Sequence, residues 1–346
     1  MKILVLCEMI QATQLISFRF NQSLIPCYKQ VEFKLYAWQD FKRLDSISRK
    51  QLFLDCEYLI LSRWYRHRKV FEIINKARQY GKKVFFQLDD FLFSVPKSIG
   101  IEKWRFYTST KAIDDLYATV KLTDGIIAST RRLADEIKCI LPNTNILICP
   151  YWKHFDPLKS LDSVSNKRPY PVIGYMGTQT HAEDLQLITA DLDYLMGINP
   201  SLIFETFGIK VPQILRTKYP GRCVMLNKLN NYHEFQSVLS TLGWWVGLAP
   251  LAQNDFNFCK TNTKFVEYVE AGIPVIASNY GPYEDIPTLN NFIDGPHSAW
   301  LQKIQTALLS KRQRNSLFEK QLQYCCQFTD PNLLVEFYRE ISGRLS

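Results

Sequence analysis

The sequence predicts an α/β protein made of two doubly wound domains whose parallel sheets face each other across a cleft. Continuous apolar segments alternate with amphipathic helical patterns, which is typical of parallel sheets covered by helices on both faces. A polar, proline-containing stretch at 155–171 interrupts this alternation, which then starts again. The length of 346 residues suits two domains of about 150 residues each.

Six apolar segments in the first half are candidate strands. Helical patterns at 69–80 and 130–140 separate some of them, as expected for strand–helix–strand units. The segments are KILVLCEM (2–9), VEFKLYAW (31–38), EYLILSRW (57–64), KKVFFQLDD (82–90), DGIIAST (124–130) and NILICPYW (145–152).

The second half repeats the pattern with five candidate strands. They are VIGYMG (172–177), IFETFGI (203–209), CVMLNKL (223–229), WWVGLAPL (244–251) and PVIAS (274–278). Helical patterns begin near 182 and span 232–242, 261–271, 298–310, 312–325 and 331–344. We therefore predict an N-terminal domain at 1–160, a C-terminal domain at 161–330, and a last helix at 331–346 that packs back on the N-terminal domain.

Composition excludes two classes of protein. With 47% hydrophobic and 14% aromatic residues the chain buries a large core, which excludes disorder. No apolar run approaches the roughly 20 residues that span a bilayer. The nine cysteines are scattered and show no Cys-x-x-Cys spacing, which favours reduced thiols and argues against a zinc site. We therefore expect a cytoplasmic location.

The net charge of +9 predicts an anionic partner. Basic residues cluster in RWYRHRK (63–69) and RQYGKK (78–83), with Trp64 and Tyr65 among them. A solvated surface and contact with the anionic inner face of a membrane both explain this cluster. No nucleic-acid recognition motif accompanies the charge, so we do not expect nucleic acid as a partner.

Two lysines stand at the start of the helix predicted at 261–271. The N-terminus of a helix carries partial positive charge and favours anions, so Lys260 and Lys264 are unexpected there. One explanation is a surface ion pair between Lys264 and Glu267. The other is a diphosphate site at the carboxyl end of a strand, with both lysines as ligands.

A second helix N-terminus is predicted at the same edge of the sheet. Gly177 ends the strand predicted at 172–177 and Thr178 follows it, and Gly177 lets a ligand approach the backbone. Thr180 and Glu183 have the spacing of a capping box. His181 would project from the first turn, where it is a structural residue or, beside a phosphate, a candidate proton or hydrogen-bond donor.

The C-terminal half resembles the family-four glycosyltransferases of the GT-B class, which use nucleotide-sugar donors. The matching segments are VIGYMGTQTHAEDL, FETFGI, LAPLAQNDFNFCKTNTKFVEYVEAGIPVIASNYGPYEDI and NNFIDGPHSAW. The resemblance implies an α/β GT-B fold with two Rossmann-like domains. It also implies that Lys260, with Lys264 close by, binds the donor diphosphate and that Glu267 holds the ribose.

The N-terminal half resembles a bacterial surface-polysaccharide branch of that family. The matching segments are CEYLILSRW, KARQYGKKVFFQLDDFLFS and LTDGIIASTRRLADEI, and the branch carries an Asp-Asp pair after the fourth strand. Asp89 and Asp90 fill that position as an acceptor-binding residue and a catalytic residue, although capping a helix or binding a metal are alternatives. Arg19 is a further candidate for contact with the acceptor.

One position departs from the family pattern. The family has an earlier glutamate that contacts the donor sugar, and Cys259 occupies its place. Asp255 or Asn257 is the candidate replacement for this contact. Tyr232 is a candidate for stacking on the nucleotide base, with a role in the core or on the surface as the alternative.

These features predict a metal-independent, retaining glycosyltransferase of surface-polysaccharide synthesis. Its substrates would be a nucleotide sugar and a saccharide or lipid-linked acceptor, and no cofactor is expected beyond the donor substrate. The predicted location is the cytoplasm, with peripheral attachment to the inner membrane face. Two alternatives stay open: a catalytically silent subunit that binds a nucleotide or partner chain, and a nucleotide-sugar epimerase of the same fold.

Overall fold

The computed structural model describes residues 1–19, 31–65, 68–149, 168–288, 298–330 and 332–343, together with Phe155, Pro157 and Ser160. Most of the predicted linker at 155–171 therefore lies outside the described residues.

The first half forms a six-stranded parallel sheet in the order β2-β1-β3-β4-β5-β6. Its inner strands are buried because helices pack on both faces, which explains why these segments are continuously apolar. The strands are β1 (Lys2–Cys7), β2 (Glu32–Ala37), β3 (Tyr58–Ser62), β4 (Lys83–Leu88), β5 (Gly125–Ala128) and β6 (Ile146–Ile148). All six predicted strands are confirmed.

The second half forms a five-stranded parallel sheet in the order β11-β10-β7-β8-β9. Two glycines permit its packing: a Cβ atom on Gly174 would lie 1.8 Å from the Trp244 ring, and one on Gly247 would lie 2.7 Å from the Tyr268 ring. The strands are β7 (Val172–Met176), β8 (Ile203–Phe207), β9 (Cys223–Leu226), β10 (Val246–Ala249) and β11 (Val275–Ala277). The predicted class of two parallel α/β sheets is confirmed.

Helices surround both sheets. Those of the first half are Ala12–Gln14, the π-helix Leu15–Arg19, Trp38–Arg43, Ser46–Asp55, Arg68–Gln79, Ile101–Thr108, Thr110–Leu122 and Arg131–Ile140. Those of the second half are Ala182–Gln186, Thr189–Ile198, Gln213–Lys218, Tyr232–Thr241, Asp255–Phe258, Thr263–Glu270, Ala299–Leu309 and Lys311–Cys325. Short 3-10 turns occur at Lys97–Ile99, Gln179–His181, Gly281–Tyr283 and Cys326–Phe328.

The last helix, Asn332–Gly343, packs against the N-terminal sheet. The rings of Tyr338 and Phe33 meet edge to face at a centroid distance of 5.0 Å. Leu334, Val335 and Ile341 join the same buried cluster as strands β1 and β3. The end of the chain therefore contributes to the core of the N-terminal half.

The two halves are in direct contact beside the cleft. Phe256 and Cys259, from the segment after β10, are buried in the core cluster of the N-terminal half. The Thr130 hydroxyl donates a hydrogen bond to the Cys259 carbonyl at 3.0 Å. Arg132 Nη2 lies 2.7 Å from Glu284 Oε2. These contacts fix the loop that carries Lys260 against both halves.

The basic cluster predicted at 63–69 and 78–83 is only partly a surface. Trp64 and Tyr65 are 1% and 2% exposed, and the Arg63 side chain turns inward to Asp89 and Asp90. The interpretation of these three residues as an aromatic and basic surface is therefore wrong, because the chain enters the core after β3. Arg66 lies outside the described residues.

Two predictions concerned reduced cysteines and the absence of a membrane-spanning segment. Cys27 lies outside the described residues, and the eight described cysteines are free thiols. Within the described ranges, no helix is both long enough and apolar enough to cross a membrane.

Candidate active site

The candidate site lies at the carboxyl edge of the second sheet, facing the first. The loop after β7 carries Gly177 to His181, and the segment after β10 leads to Lys260 and the helix Thr263–Glu270. Open α/β sheets bind their ligands at this edge. Gly272 has φ 70° just after the helix, a left-handed conformation that glycine adopts readily at the end of a helix.

Lys260 and Lys264 are both half-buried in this edge. Lys260 Nζ lies 5.2 Å from the centroid of the Phe256 ring. Lys264 Nζ lies 4.7 Å from the centroid of the Tyr175 ring and 3.5 Å from the Tyr175 hydroxyl. Neither ammonium group forms an ion pair with a carboxylate of the described residues, so the surface pair of Lys264 with Glu267 is absent.

Burial lowers the pKa of both lysines. The pKa of Lys264 falls to about 8, with Asp184 opposing the shift and the neighbouring charge of Lys260 adding to it. Burial also lowers the pKa of Lys260, while the charges of Asp90 and Asp184 raise it. Two cations near each other in a partly desolvated site favour an anion that would contact both.

His181 is paired with Asp184, a residue that the sequence analysis missed. The distance from His181 Nδ1 to Asp184 Oδ2 is 2.8 Å. Burial and the charges of Lys264 and Lys260 lower the pKa of His181 to about 4, so the ring is neutral at pH 7. In a neutral ring, Nδ1–H donates a hydrogen bond to the Asp184 carboxylate. Nε2 is then unprotonated and can accept a hydrogen bond. The expected role of His181 as a proton donor does not fit this state.

The predicted capping box of Thr180 and Glu183 is wrong. The chain forms a 3-10 turn over Gln179–His181, so Thr180 lies inside the turn, where its Oγ1 is 2.7 Å from Thr178 Oγ1. The α-helix begins at Ala182, and Asp184 rather than Glu183 turns back toward the N-cap residue.

Asp184 also holds the loop after β10. Its Oδ1 accepts hydrogen bonds from the Ala252 amide at 2.8 Å and from Asn257 Nδ2 at 3.4 Å. Asn257 is 5% exposed and donates a second bond to the Ala252 carbonyl at 2.8 Å. The structure therefore places Asn257 in the framework beneath the site. Burial alone would raise the pKa of Asp184, but its hydrogen bond with His181 and other contacts lower it.

Glu267 lies one turn beyond Lys264 and is hydrogen-bonded to Tyr232. The Tyr232 hydroxyl donates to Glu267 Oε1 at 2.5 Å. The Tyr232 ring is stacked on Phe235 at a centroid distance of 6.0 Å, and the residue is 7% exposed. Tyr232 thus orients the carboxylate and leaves little of its own surface for a nucleotide base.

The loop after β7 is held close to the backbone of β8. The Gly177 amide donates to the Phe207 carbonyl at 3.0 Å. Gly208 adopts φ 83°, and a Cβ atom there would lie 2.6 Å from the Gly177 carbonyl oxygen. Thr178 is exposed on this loop. Gly177 and Thr178 therefore lie at the carboxyl edge of the sheet, where a contact with the donor is predicted.

Asp89 and Asp90 lie across the cleft and share one arginine. Arg63 Nη1 is 3.0 Å from Asp89 Oδ1 and 2.8 Å from Asp90 Oδ2. The Thr13 hydroxyl donates to Asp89 Oδ2 at 2.9 Å. Arg63 adopts φ 52°, which is disfavoured for residues with a side chain. Arg63 was expected on the surface, so this role was not predicted from the sequence.

Burial raises the pKa of Asp89, and the positive charge of Arg63 opposes this shift. Asp90 is close enough to Lys260 for its charge to raise the pKa of that lysine. Asp90 and Lys260, from the two halves, therefore belong to one electrostatic site. Arg19 ends the π-helix Leu15–Arg19, and its side chain lies outside the described residues.

Cys259 does not reach the site. Its side chain is fully buried in the core of the N-terminal half, and burial raises the pKa of its thiol to about 12. A neutral buried thiol cannot replace the glutamate that binds the donor sugar in the resembling family.

Comparisons with known proteins found neither a matching family model nor a similar curated protein. The structure is similar to TarM of S. aureus in complex with UDP, at TM-score 0.57 and 12% identity, over 85% of this chain and 59% of TarM. The chain thus spans less than two thirds of TarM. It is also similar to the UDP-forming trehalose-phosphate synthase of Burkholderia xenovorans, at TM-score 0.58 and 11% identity, over 99% of both chains.

An alpha-glucosyltransferase in complex with UDP and DNA matches at TM-score 0.64 and 11% identity, over 99% of this chain and 100% of the other. The two sheets of six and five parallel strands have the arrangement of these enzymes. The chain has the GT-B fold. At 11–12% identity the likeness establishes the fold alone.

We predict that Asp184→Asn destabilises the protein. Removing the charged acceptor leaves the Ala252 amide and His181 with a weaker partner, which should lower the free energy of unfolding by about 2 kcal/mol. Because the pKa of Asp184 is lowered on folding, its contribution is present above the unfolded pKa and is lost as the pH falls through the folded pKa. Urea unfolding at pH 7 measures the first effect, and a series from about pH 5 down to about pH 2 measures the second, because an unfolded aspartate has a pKa of about 3.9.

The control for this experiment is Asp135→Asn, at an exposed position of the helix Arg131–Ile140. It should leave the free energy of unfolding nearly unchanged. Equal stability of Asp184→Asn and wild type at pH 7 would contradict the framework role of Asp184.

Proposed function

We propose that the protein is a glycosyltransferase that transfers a sugar from a nucleotide-sugar donor. The supporting observation is the pair Lys260 and Lys264, two partly buried cations that no carboxylate of the described residues neutralises by direct contact. A diphosphate would supply the missing negative charge at the edge of the sheet where such folds bind ligands. Three proteins of similar structure are described with UDP or as UDP-forming, so we propose UDP as the nucleotide.

In this proposal Glu267 accepts hydrogen bonds from the ribose hydroxyls. Tyr232 holds one carboxylate oxygen from below, which would fix the orientation of the group before the nucleotide binds. Gly177 and Thr178 line the loop on the other side of the diphosphate. His181 would accept a hydrogen bond at Nε2 from a hydroxyl of the donor.

The chemical step is the departure of the nucleoside diphosphate from the anomeric carbon. Charge develops on the leaving oxygen, and Lys260 and Lys264 would stabilise it without a metal ion. Asp90, held by Arg63 next to Lys260, would orient the acceptor hydroxyl, with Asp89 as its support. We propose a retaining outcome and a saccharide or lipid-linked acceptor of surface-polysaccharide synthesis.

We predict that the wild-type protein binds UDP and slowly hydrolyses a UDP-sugar without an acceptor. Lys260→Ala should raise the barrier to release of UDP by about 2–4 kcal/mol. Calorimetry measures UDP binding, and the release of free sugar from a panel of UDP-sugars measures turnover. Lys311→Ala, at an exposed position, should behave as wild type.

The two alternative functions give other outcomes in the same assay. UDP binding without turnover of any sugar would support a silent subunit, and conversion of one UDP-sugar into another would support an epimerase. Normal turnover by Lys260→Ala would contradict the proposed site.

We predict that UDP affinity falls above pH 8. Lys264 has a pKa of about 8 in the free protein, so it is protonated at pH 7 and loses its charge as the pH rises. UDP is fully ionised above pH 7 because the second pKa of a phosphate is about 6. The dissociation constant should therefore rise about tenfold between about pH 7 and pH 9.

Lys264→Arg is the matched variant for this pH dependence, because arginine stays protonated over the whole range. Its UDP affinity should be nearly constant between the same two pH values. An equal decline in wild type and Lys264→Arg would show that another group titrates.

A further inference from the structure

The segment after Asp90 carries an exposed helix that no step of the proposed reaction uses. A 3-10 turn at Lys97–Ile99 leads into the helix Ile101–Thr108, none of whose side chains is fully buried. Ile99 and Tyr107 pack against the core of the N-terminal half. The helix is thus attached to the domain along one edge and exposed along the other.

Two large apolar side chains of this helix are exposed. Ile101 is 49% exposed and Phe106 is 46% exposed. The Phe106 ring meets Tyr107 edge to face at a centroid distance of 5.2 Å, which limits its movement. The helix therefore offers apolar surface at two of its eight positions.

The charges around these residues are mostly positive. Residues 97–111 contain four basic residues and one acidic residue. Lys103 and Arg105 are exposed on the helix itself. Lys97 Nζ lies 4.7 Å from the centroid of the Trp104 ring, so a cation and an aromatic ring stand together at the start of the helix. Apolar side chains, a tryptophan and basic residues together fit the interface of an anionic bilayer.

We propose that the segment 97–108 is a membrane-contact surface that binds anionic phospholipid headgroups and inserts Ile101 and Phe106 into the interface. It takes the place of the cluster at 63–69 and 78–83, in which Trp64 and Tyr65 are buried. A helix of eight residues supplies a reversible contact, and the basic residues around it add the second attraction that peripheral binding needs.

The position of this surface suits a lipid-linked acceptor, a point that rests on the proposed function. The helix follows β4 and the Asp89–Asp90 pair directly in the chain. Its leading turn at Lys97–Ile99 lies beside the turn Gln179–His181, with Cα atoms of the two within 8 Å of each other. A membrane bound at this surface would therefore lie next to the opening between the acceptor-side and donor-side groups.

The experiment is co-sedimentation of the full chain with vesicles of phosphatidylcholine alone and of phosphatidylcholine mixed with phosphatidylglycerol. Wild type should bind the anionic vesicles, more weakly as salt is added, and should bind the neutral ones far less. Lys103→Gln with Arg105→Gln should lower the partition coefficient about 25-fold, since each charge near an anionic surface contributes about fivefold. Ile101→Ser with Phe106→Ser should also lower it, by at least about tenfold.

The matched control is Ile214→Ser with Arg216→Gln, on the helix Gln213–Lys218 of the other half. Ile214 is 57% exposed, so this variant removes a similar apolar and basic pair. It should bind vesicles as wild type does. Thermal unfolding and UDP binding are measured on every sample, and the changes at exposed positions should leave both unchanged.

Two results would overturn this inference: absence of wild-type binding to anionic vesicles at low salt, and equal binding by the control and the two helix variants. Either result together with normal UDP binding would leave the proposed transferase site intact. Vesicle binding as predicted in a protein that does not bind UDP would instead overturn the proposed function and keep the membrane surface.

Discussion

The site depends on one buried carboxylate, that of Asp184. It is 3% exposed and connects His181, the Ala252 amide and the Asn257 side chain, which belong to two loops at the edge of one sheet. Those loops carry Gly177 and Lys260, so their spacing is set by hydrogen bonds to a single group. A buried charge with several hydrogen-bond partners is costly to remove, which makes the edge rigid before any ligand binds.

The charge balance of the cleft supports the proposed chemistry. Asp184 is neutralised mainly by hydrogen bonds, and Asp89 and Asp90 share Arg63, so no carboxylate of the described residues is left in direct contact with Lys260 or Lys264. Burial disfavours both ammonium groups, and the lowered pKa of Lys264, about 8, is a measure of that cost. A bound diphosphate would favour the charged form of both lysines and so offset the effect of burial. When it departs from the sugar, negative charge would develop next to two cations that the protein already holds there.

The architecture and the two lysines could be predicted from the sequence, but most of the residues that hold the site in place could not. The strands were predictable because both faces of each sheet are covered and the segments are continuously apolar. Lys264 and Glu267 lie on the helix Thr263–Glu270 and Lys260 lies three residues before it, so the unusual position of two lysines at a helix N-terminus was visible in the sequence. Asp184 was hidden because two of its partners, Ala252 and Asn257, come from a loop about 70 residues away. Arg63 was hidden because its turn inward depends on a backbone conformation with φ 52°.

The most direct measurement is the stability of Lys260→Met with Lys264→Met, with and without UDP. If the two lysines bind a diphosphate, replacing them removes the cost of burying two ammonium groups. The unliganded variant should therefore be at least as stable as wild type. Wild type should gain about 2.7 kcal/mol of unfolding free energy at a UDP concentration of about 100 times the dissociation constant, and the variant should gain nothing at that concentration. A variant that is destabilised without UDP and still gains stability from it would show that the lysines support the fold and do not bind the donor.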